Sequence, residues 1–107
     1  MPVDNLETID IVSSDDEGNT VLIVSDHLEW DDASHLLTLQ KKLNLYLRFI
    51  ESGEVFEKYP DARGKKVIIE VVTLFEPDAI GTEFLRRAGA IIEGAGFGFS
   101  YRQRQAS

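Results

Sequence analysis

The sequence predicts an α+β domain: a two-layer sandwich of one four-stranded mixed sheet with two helices on one face, in the order ββαβαβ. Three observations predict it. Two short β-rich runs flank a polar turn near the N-terminus, two longer segments switch to a helical period, and each of those is followed by another β-rich run. The last two strands are joined through a helix, so a right-handed crossover and parallel pairing are expected there. With 107 residues the chain reads as one domain, 1–107, with residues 1–6 and 103–107 frayed.

The first two strands come from "TIDIVSSDDEGNTVLIVSD". Ile9, Ile11 and Ser13 alternate with Asp10, Val12 and Ser14, and Val21 to Val24 form a continuous β-branched and aliphatic run. Gly18 and Asn19 in the turn tolerate the positive φ that hairpin loops need. An EF-hand reading of "DDEGNTVLIVSD" fails because Gly18 falls too early and the final position is Asp26 rather than a glutamate.

From about Asp31 to Ser52 the period is helical. Leu36, Leu39, Leu43, Leu47 and Ile50 form one apolar stripe, broadened by Leu37, Leu45 and Phe49, with Gln40, Lys41, Lys42, Asn44, Arg48 and Glu51 on other faces. Asp31, Asp32 or Ser34 can cap its start, and Gly53 can end it in the left-handed conformation. A connection with a helical turn near Val55 to Tyr59 leads to the strand "KVIIEVVTLF". Pro77 suits the first turn of the second helix. Its expected buried stripe is Ile80, Phe84, Ala88, Ile91, Ile92 and Ala95, with the small residues Gly81 and Gly89 beside Leu85 on a flank. Phe97, Phe99 and Tyr101 define one face of the last strand.

Charge is unevenly distributed. The net charge is −8, yet residues 1–40 hold ten acids and no base, whereas residues 41–107 hold nine acids and eleven bases. An acidic first third repels phosphate, so nucleic acid is not an expected partner despite Phe97, Phe99 and Tyr101 lying beside Arg102 and Arg104. The chain has no cysteine, which excludes disulfides, thiolate metal sites and cysteine nucleophiles. It shows no signal-peptide pattern and no apolar run of bilayer length, so a soluble cytoplasmic protein with no membrane partner is expected.

Residues 25 to 35, "SDHLEWDDASH", concentrate two histidines, a tryptophan and four carboxylates. His27, Asp31 and His35 are spaced by four and are of metal-ligating type, which defines a small metal-dependent or acid–base enzyme as the alternative function. The simpler reading is a strand-to-helix junction in which Leu28 and Trp30 tuck under the sheet edge and His35 lies on the surface of the first turn. Trp30 still offers the large amphipathic surface common at interface centres. The glycines of "GAGFGF" follow a helix and lead into a strand, the wrong polarity for a dinucleotide loop.

The segments "IDIV", "VLIVSDHLEW", "HLLTLQKKLNLYLRFIESG" and "VIIEVV" resemble an uncharacterised bacterial family of small domains of unknown function, over residues 9 to 75. The resemblance implies a compact cytoplasmic α+β domain and carries no activity, cofactor or catalytic residue. The sequence therefore favours a non-enzymatic protein-interaction domain that needs no cofactor. Its expected contact residues are Asp15, Asp16, Glu17, Asp26, Trp30 and Asp31, and its partner is another protein. A second copy of the chain is also expected, because apolar residues fall on both sides of the central strands (Val12, Leu22 or Ile23, Ile68, Val72 and Leu74).

Overall fold

A computed structural model describes residues 11–30 and 34–104, residues 11 and 12 by their backbone. Its elements are β1 (Ile11–Ser14), β2 (Thr20–Asp26), α1 (His35–Glu51), the short α2 (Glu54–Lys58), a 3₁₀ turn (Pro60–Ala62), β3 (Val67–Thr73), α3 (Ala79–Gly94) and β4 (Gly98–Gln103). The chain is thus α+β with one four-stranded sheet, in the spatial order β1-β2-β3-β4. β1 pairs antiparallel with β2, while β2–β3 and β3–β4 are parallel. The sheet is mixed, as expected, and α2 adds a third helix to the two that the periodicity predicts.

The hairpin closes through a five-residue loop, Asp15 to Asn19. The Asp15 carboxylate accepts from the backbone amides of Glu17 (3.0 Å) and Asn19 (2.8 Å), and also from the Asn19 side-chain amide (3.0 Å). These bonds, the Asn19 side chain first, hold the Asp15 carboxyl below its usual range. Gly18 takes φ +83°, a left-handed conformation open to glycine without strain.

β2 and β3 present Leu22, Val24, Ile69 and Val71 to one core, where they meet Leu39, Leu43, Tyr46, Phe49 and Ile50 of α1, Val55 of α2, and Leu85 and Ile92 of α3. The other face of β3 is only half-buried, carrying Ile68, Glu70 and Val72. Parallel register aligns Ile23 with Glu70 and Val72 with Arg102 on that face. There Arg102 donates to Glu70 across 3.2 Å. Leu22 belongs to the core side, and the side chain of Val12 lies outside the described set.

Three expectations need correction. The buried face of α1 runs through His35, Leu39, Lys42, Tyr46 and Phe49, with Leu43 and Ile50 beside it, so Lys42 is inside rather than on an outer face. The Lys42 ammonium lies 5.5 Å from the Tyr46 ring centroid, and the Tyr46 hydroxyl donates to the carbonyl of Ile23 at 2.8 Å. The long Lys42 stem supplies apolar area that its charge conceals in the sequence.

The second correction concerns α3, which is rotated from its expected stripe. Its buried residues are Gly81, Leu85, Gly89 and Ile92, whereas Ile80 and Ile91 are 68% and 67% exposed. The glycines decide the rotation. A Cβ built on Gly81 would stand 2.4 Å from Trp30 Cε3, and one on Gly89 would stand 2.7 Å from Phe99 Cδ2. Two aromatic rings therefore occupy the space that side chains at those positions would need.

The third lies at the ends. Asp78, not Pro77, begins α3 by accepting from the Gly81 amide at 2.7 Å, and Pro77 precedes the cap. α3 ends in a Schellman arrangement, with Gly96 at φ +98° donating to Glu93 O and Phe97 donating to Ile92 O. Gln103, expected to fray, pairs with Thr73, and the Arg104 amide still reaches the Thr73 carbonyl at 2.6 Å. At α1 the described residues begin at Ser34, which makes no side-chain cap bond, and Asp31 and Asp32 lie outside the described residues. Among the described residues no helix is long and apolar enough to cross a membrane.

Candidate functional site

Two places carry the features of a site: the junction between β2 and α1, and the outer surface of the long helices. At the junction, β2 ends with Asp26 fully in the sheet, opposite Thr73, its carbonyl accepting from the Leu74 amide at 2.8 Å. The chain turns immediately, because Asp26 Oδ1 accepts from the Leu28 amide at 3.2 Å. Oδ2 meets His35 Nε2 at 2.5 Å, with neither side chain exposed. The other ring nitrogen, Nδ1, faces the Glu29 carbonyl at 3.0 Å.

Donor chemistry fixes part of the protonation pattern. A carbonyl oxygen can only accept, so His35 Nδ1 carries a proton. The Nε2–Oδ2 contact also needs a proton, whether it resides on the ring or on the carboxyl. The pair is therefore electrically neutral as a unit, which lessens the cost of its complete burial.

Trp30 closes the junction from outside. Its ring centroid lies 4.1 Å from that of His35 at a tilt of 37°, and its Nε1 donates to the Phe75 carbonyl at 3.0 Å. With Gly81 beneath the indole, the residue links the β2–α1 turn, the end of β3 and the start of α3. Trp30 is half-buried and pinned on three sides.

The expected site residues thus separate. Asp16 and Glu17 are exposed at the hairpin tip beside Asp15, which is committed to its own loop. Asp26 is buried with both oxygens engaged. His27 is exposed at the strand end, while His35 offers no free nitrogen lone pair to a metal. Among the described residues no three His, Asp or Glu side chains gather as a metal would require. Asp31, common to both expected sets, lies outside the described residues.

The second place was not among the sequence candidates. A cavity of about 240 Å³ runs between α1 and α3, lined by Gln40, Leu43, Asn44 and Leu47 on one side and Phe84, Arg87, Ala88, Ile91 and Ile92 on the other. It shares Phe84 and Arg87 with a shallower depression of about 450 Å³ near the helix starts, lined also by Leu36, Ala79, Ile80 and Glu83. Together they form one groove. Leu37, next to Leu36, is 55% exposed. Glu83 sits at the rim, bonded to Arg86 (2.6 and 2.9 Å) and Arg87 (3.0 Å). Those guanidinium groups, Arg86 first, lower the Glu83 carboxyl from 4.5 to about 2.

One sequence signal pointed here. The apolar residues of α3 cover too wide an arc for one contact, with Ile80, Phe84 and Ile91 at one angle and Gly81, Leu85, Gly89 and Ile92 at the next. A helix apolar over that arc has two neighbours to satisfy.

The geometry defines a small α+β domain with an internally neutralised Asp–His junction and an apolar groove on its helices. The chain matches the Family of unknown function (DUF6572) over residues 1–105 and belongs to that family. No curated protein and no solved structure matches it.

Proposed function

We propose that the chain is a non-enzymatic protein-interaction domain, working as two layers, with its long helices on one face of the sheet and their outer surface as the contact surface. The observation that carries this reading is the exposure of Ile80 and Ile91, at 68 and 67%, along a groove of aliphatic and aromatic side chains. Contiguous exposed apolar surface of this kind marks contact sites in soluble domains. The acidic hairpin tip, Asp16 and Glu17, serves as a steering surface that raises encounter rates with a basic partner without holding it. Asp26 and Trp30 act in this reading by fixing the junction from which α1 starts, not by touching the partner.

The competing acid–base enzyme has less support, since Asp26 and His35 spend their polar atoms on each other and on the backbone. The test is photo-crosslinking in cells, with a photoreactive phenylalanine derivative at Ile80 and, as control, at Glu93. Protein adducts are expected from position 80, lost when Ile91→Glu is added. An absence of adducts at position 80 would remove the interaction reading.

A further inference from the structure

We propose that a cavity at the end of the sheet opposite the Asp26–His35 junction binds a phosphate monoester of a small hydroxylated molecule. The inference is independent of the interaction reading, because it concerns neither long helix. The cavity holds about 300 Å³, enough for a small ligand, and lies between the β1–β2 hairpin and the chain that follows α2. Ser14 and Thr20, paired across the hairpin, line one side, and Lys58, Tyr59, Pro60 and Lys65 the other.

Backbone bonds bring these groups together. The Thr20 amide donates to the Lys66 carbonyl at 2.9 Å, which sets Lys65 beside the start of β2. Gly64, at φ +78°, turns the chain, and the Lys65 amide donates back to the Ala62 carbonyl at 3.1 Å. Lys65 and the Pro60–Ala62 turn thereby face one cavity.

Charge and donor chemistry select the ligand. Residues 58–66 hold four bases and one acid, on a chain of net charge −8. Among the described residues Lys58 and Lys65 form no ion pair, so both ammonium groups keep their donors for a ligand. Thr20 is 5% exposed, and its hydroxyl bonds no group of the described residues. No fully enclosed side-chain polar atom among those residues lacks a partner, so this hydroxyl opens into the cavity that Thr20 lines. A buried hydroxyl without a protein partner marks a place where another group supplies the bond. The three terminal oxygens of a phosphate monoester can accept from two ammonium groups and the hydroxyls of Ser14 and Thr20 together. A carboxylate, with two oxygens, would leave part of this donor set unused. Asp61, the single acid of the lining, suits a hydroxyl on the organic part, and Tyr59 and Pro60 offer its carbons an apolar wall.

The hairpin acids restrict the ligand to a small one. Asp15 spends its carboxylate on its own loop, and the exposed Asp16 and Glu17 follow Ser14 without lining the cavity. A polyanion running past the cavity would meet them, whereas a monoester held inside does not.

The test is amide NMR titration of the full chain with glucose 6-phosphate, inorganic phosphate and glucose at constant ionic strength. Saturable shifts are expected at Ser14, Thr20, Tyr59 and Lys65 with glucose 6-phosphate, weaker binding with inorganic phosphate, and none with glucose. Lys65→Gln is expected to weaken binding about tenfold, the loss of one charge-assisted bond, and the isosteric Thr20→Val about fivefold. Arg102→Gln, which removes a cation from the outer sheet face, is expected to bind as the wild type does. Shifts that never saturate overturn the inference, as does equal weakening in Arg102→Gln and Lys65→Gln, the mark of overall charge alone. Undiminished binding by either cavity variant overturns it too. Inorganic phosphate binding as tightly as glucose 6-phosphate overturns the organic part. Tighter binding by a phosphoserine peptide overturns the small-molecule class.

Discussion

Asp26 and His35, nine residues apart in the chain, meet at 2.5 Å with neither side chain exposed, and this contact ties the end of β2 to the first turn of α1. Removing one partner strands the other. His35→Ala leaves a buried carboxylate whose remaining bond among the described residues comes from the Leu28 amide, a loss of about 3–5 kcal/mol for a broken buried pair. Asp26→Leu combined with His35→Leu is expected to cost less than the sum of the single changes, because no uncompensated charge remains. Urea denaturation of the three variants checks this. Strictly additive losses would show that the two groups act independently.

The other nitrogen of the His35 ring predicts a tautomer. His35 Nδ1 faces a carbonyl and must donate, so long-range proton–nitrogen NMR should show Nδ1 protonated. A ring protonated on Nε2 alone would mean that the Glu29 contact does not persist in solution.

Gly81 is fixed by Trp30 rather than by its helix. Alanine has the better helix propensity by about 1 kcal/mol, so an open site would gain from Gly81→Ala. Here the new methyl would meet the indole at 2.4 Å, and the indole is anchored by the Phe75 carbonyl and the His35 ring. A net loss of about 1–3 kcal/mol is expected, the range for overpacking, with a red-shifted tryptophan emission as the ring is displaced. Unchanged emission and a stability gain would contradict the packing. Gly94, with nothing near its missing Cβ, is the control, where Gly94→Ala should be neutral or stabilising.

These residues show which parts of the molecule were legible in the sequence. β2 and β3 were readable because buried β-branched runs have few alternative fates, and α1 because its apolar period is long. The groove was not legible because hydropathy reports that a residue is apolar without saying which neighbour claims it. Ile80 and Ile91 outweigh Gly81 and Gly89 in any apolar count, yet the glycines face inward because Trp30 and Phe99 fill the space above them. His35 and Lys42 were misplaced for a related reason. Both are polar by composition, and only the fold reveals a carboxylate for the first and an aromatic ring for the second. Trp30, expected as a contact residue, holds three elements together.

At the groove rim, Glu83 supplies a pH prediction. Its carboxyl is lowered from 4.5 to about 2, chiefly by the hydrogen bonds from Arg86 and then by those from Arg87. A depressed folded-state value means that the charged form is favoured by folding, so the contribution is fully present above about pH 4.5 and fades as pH falls toward 2. Both arginines are largely exposed and Glu83 is about half exposed, so salt screens the effect and its share of stability is small. Carboxyl-carbon NMR titration at low ionic strength should place Glu83 well below 4.5. Arg86→Ala should return it part of the way to 4.5, and Arg87→Ala by a smaller step. If Glu83 titrates near 4.5 in the wild type, the three-residue cluster does not persist in solution.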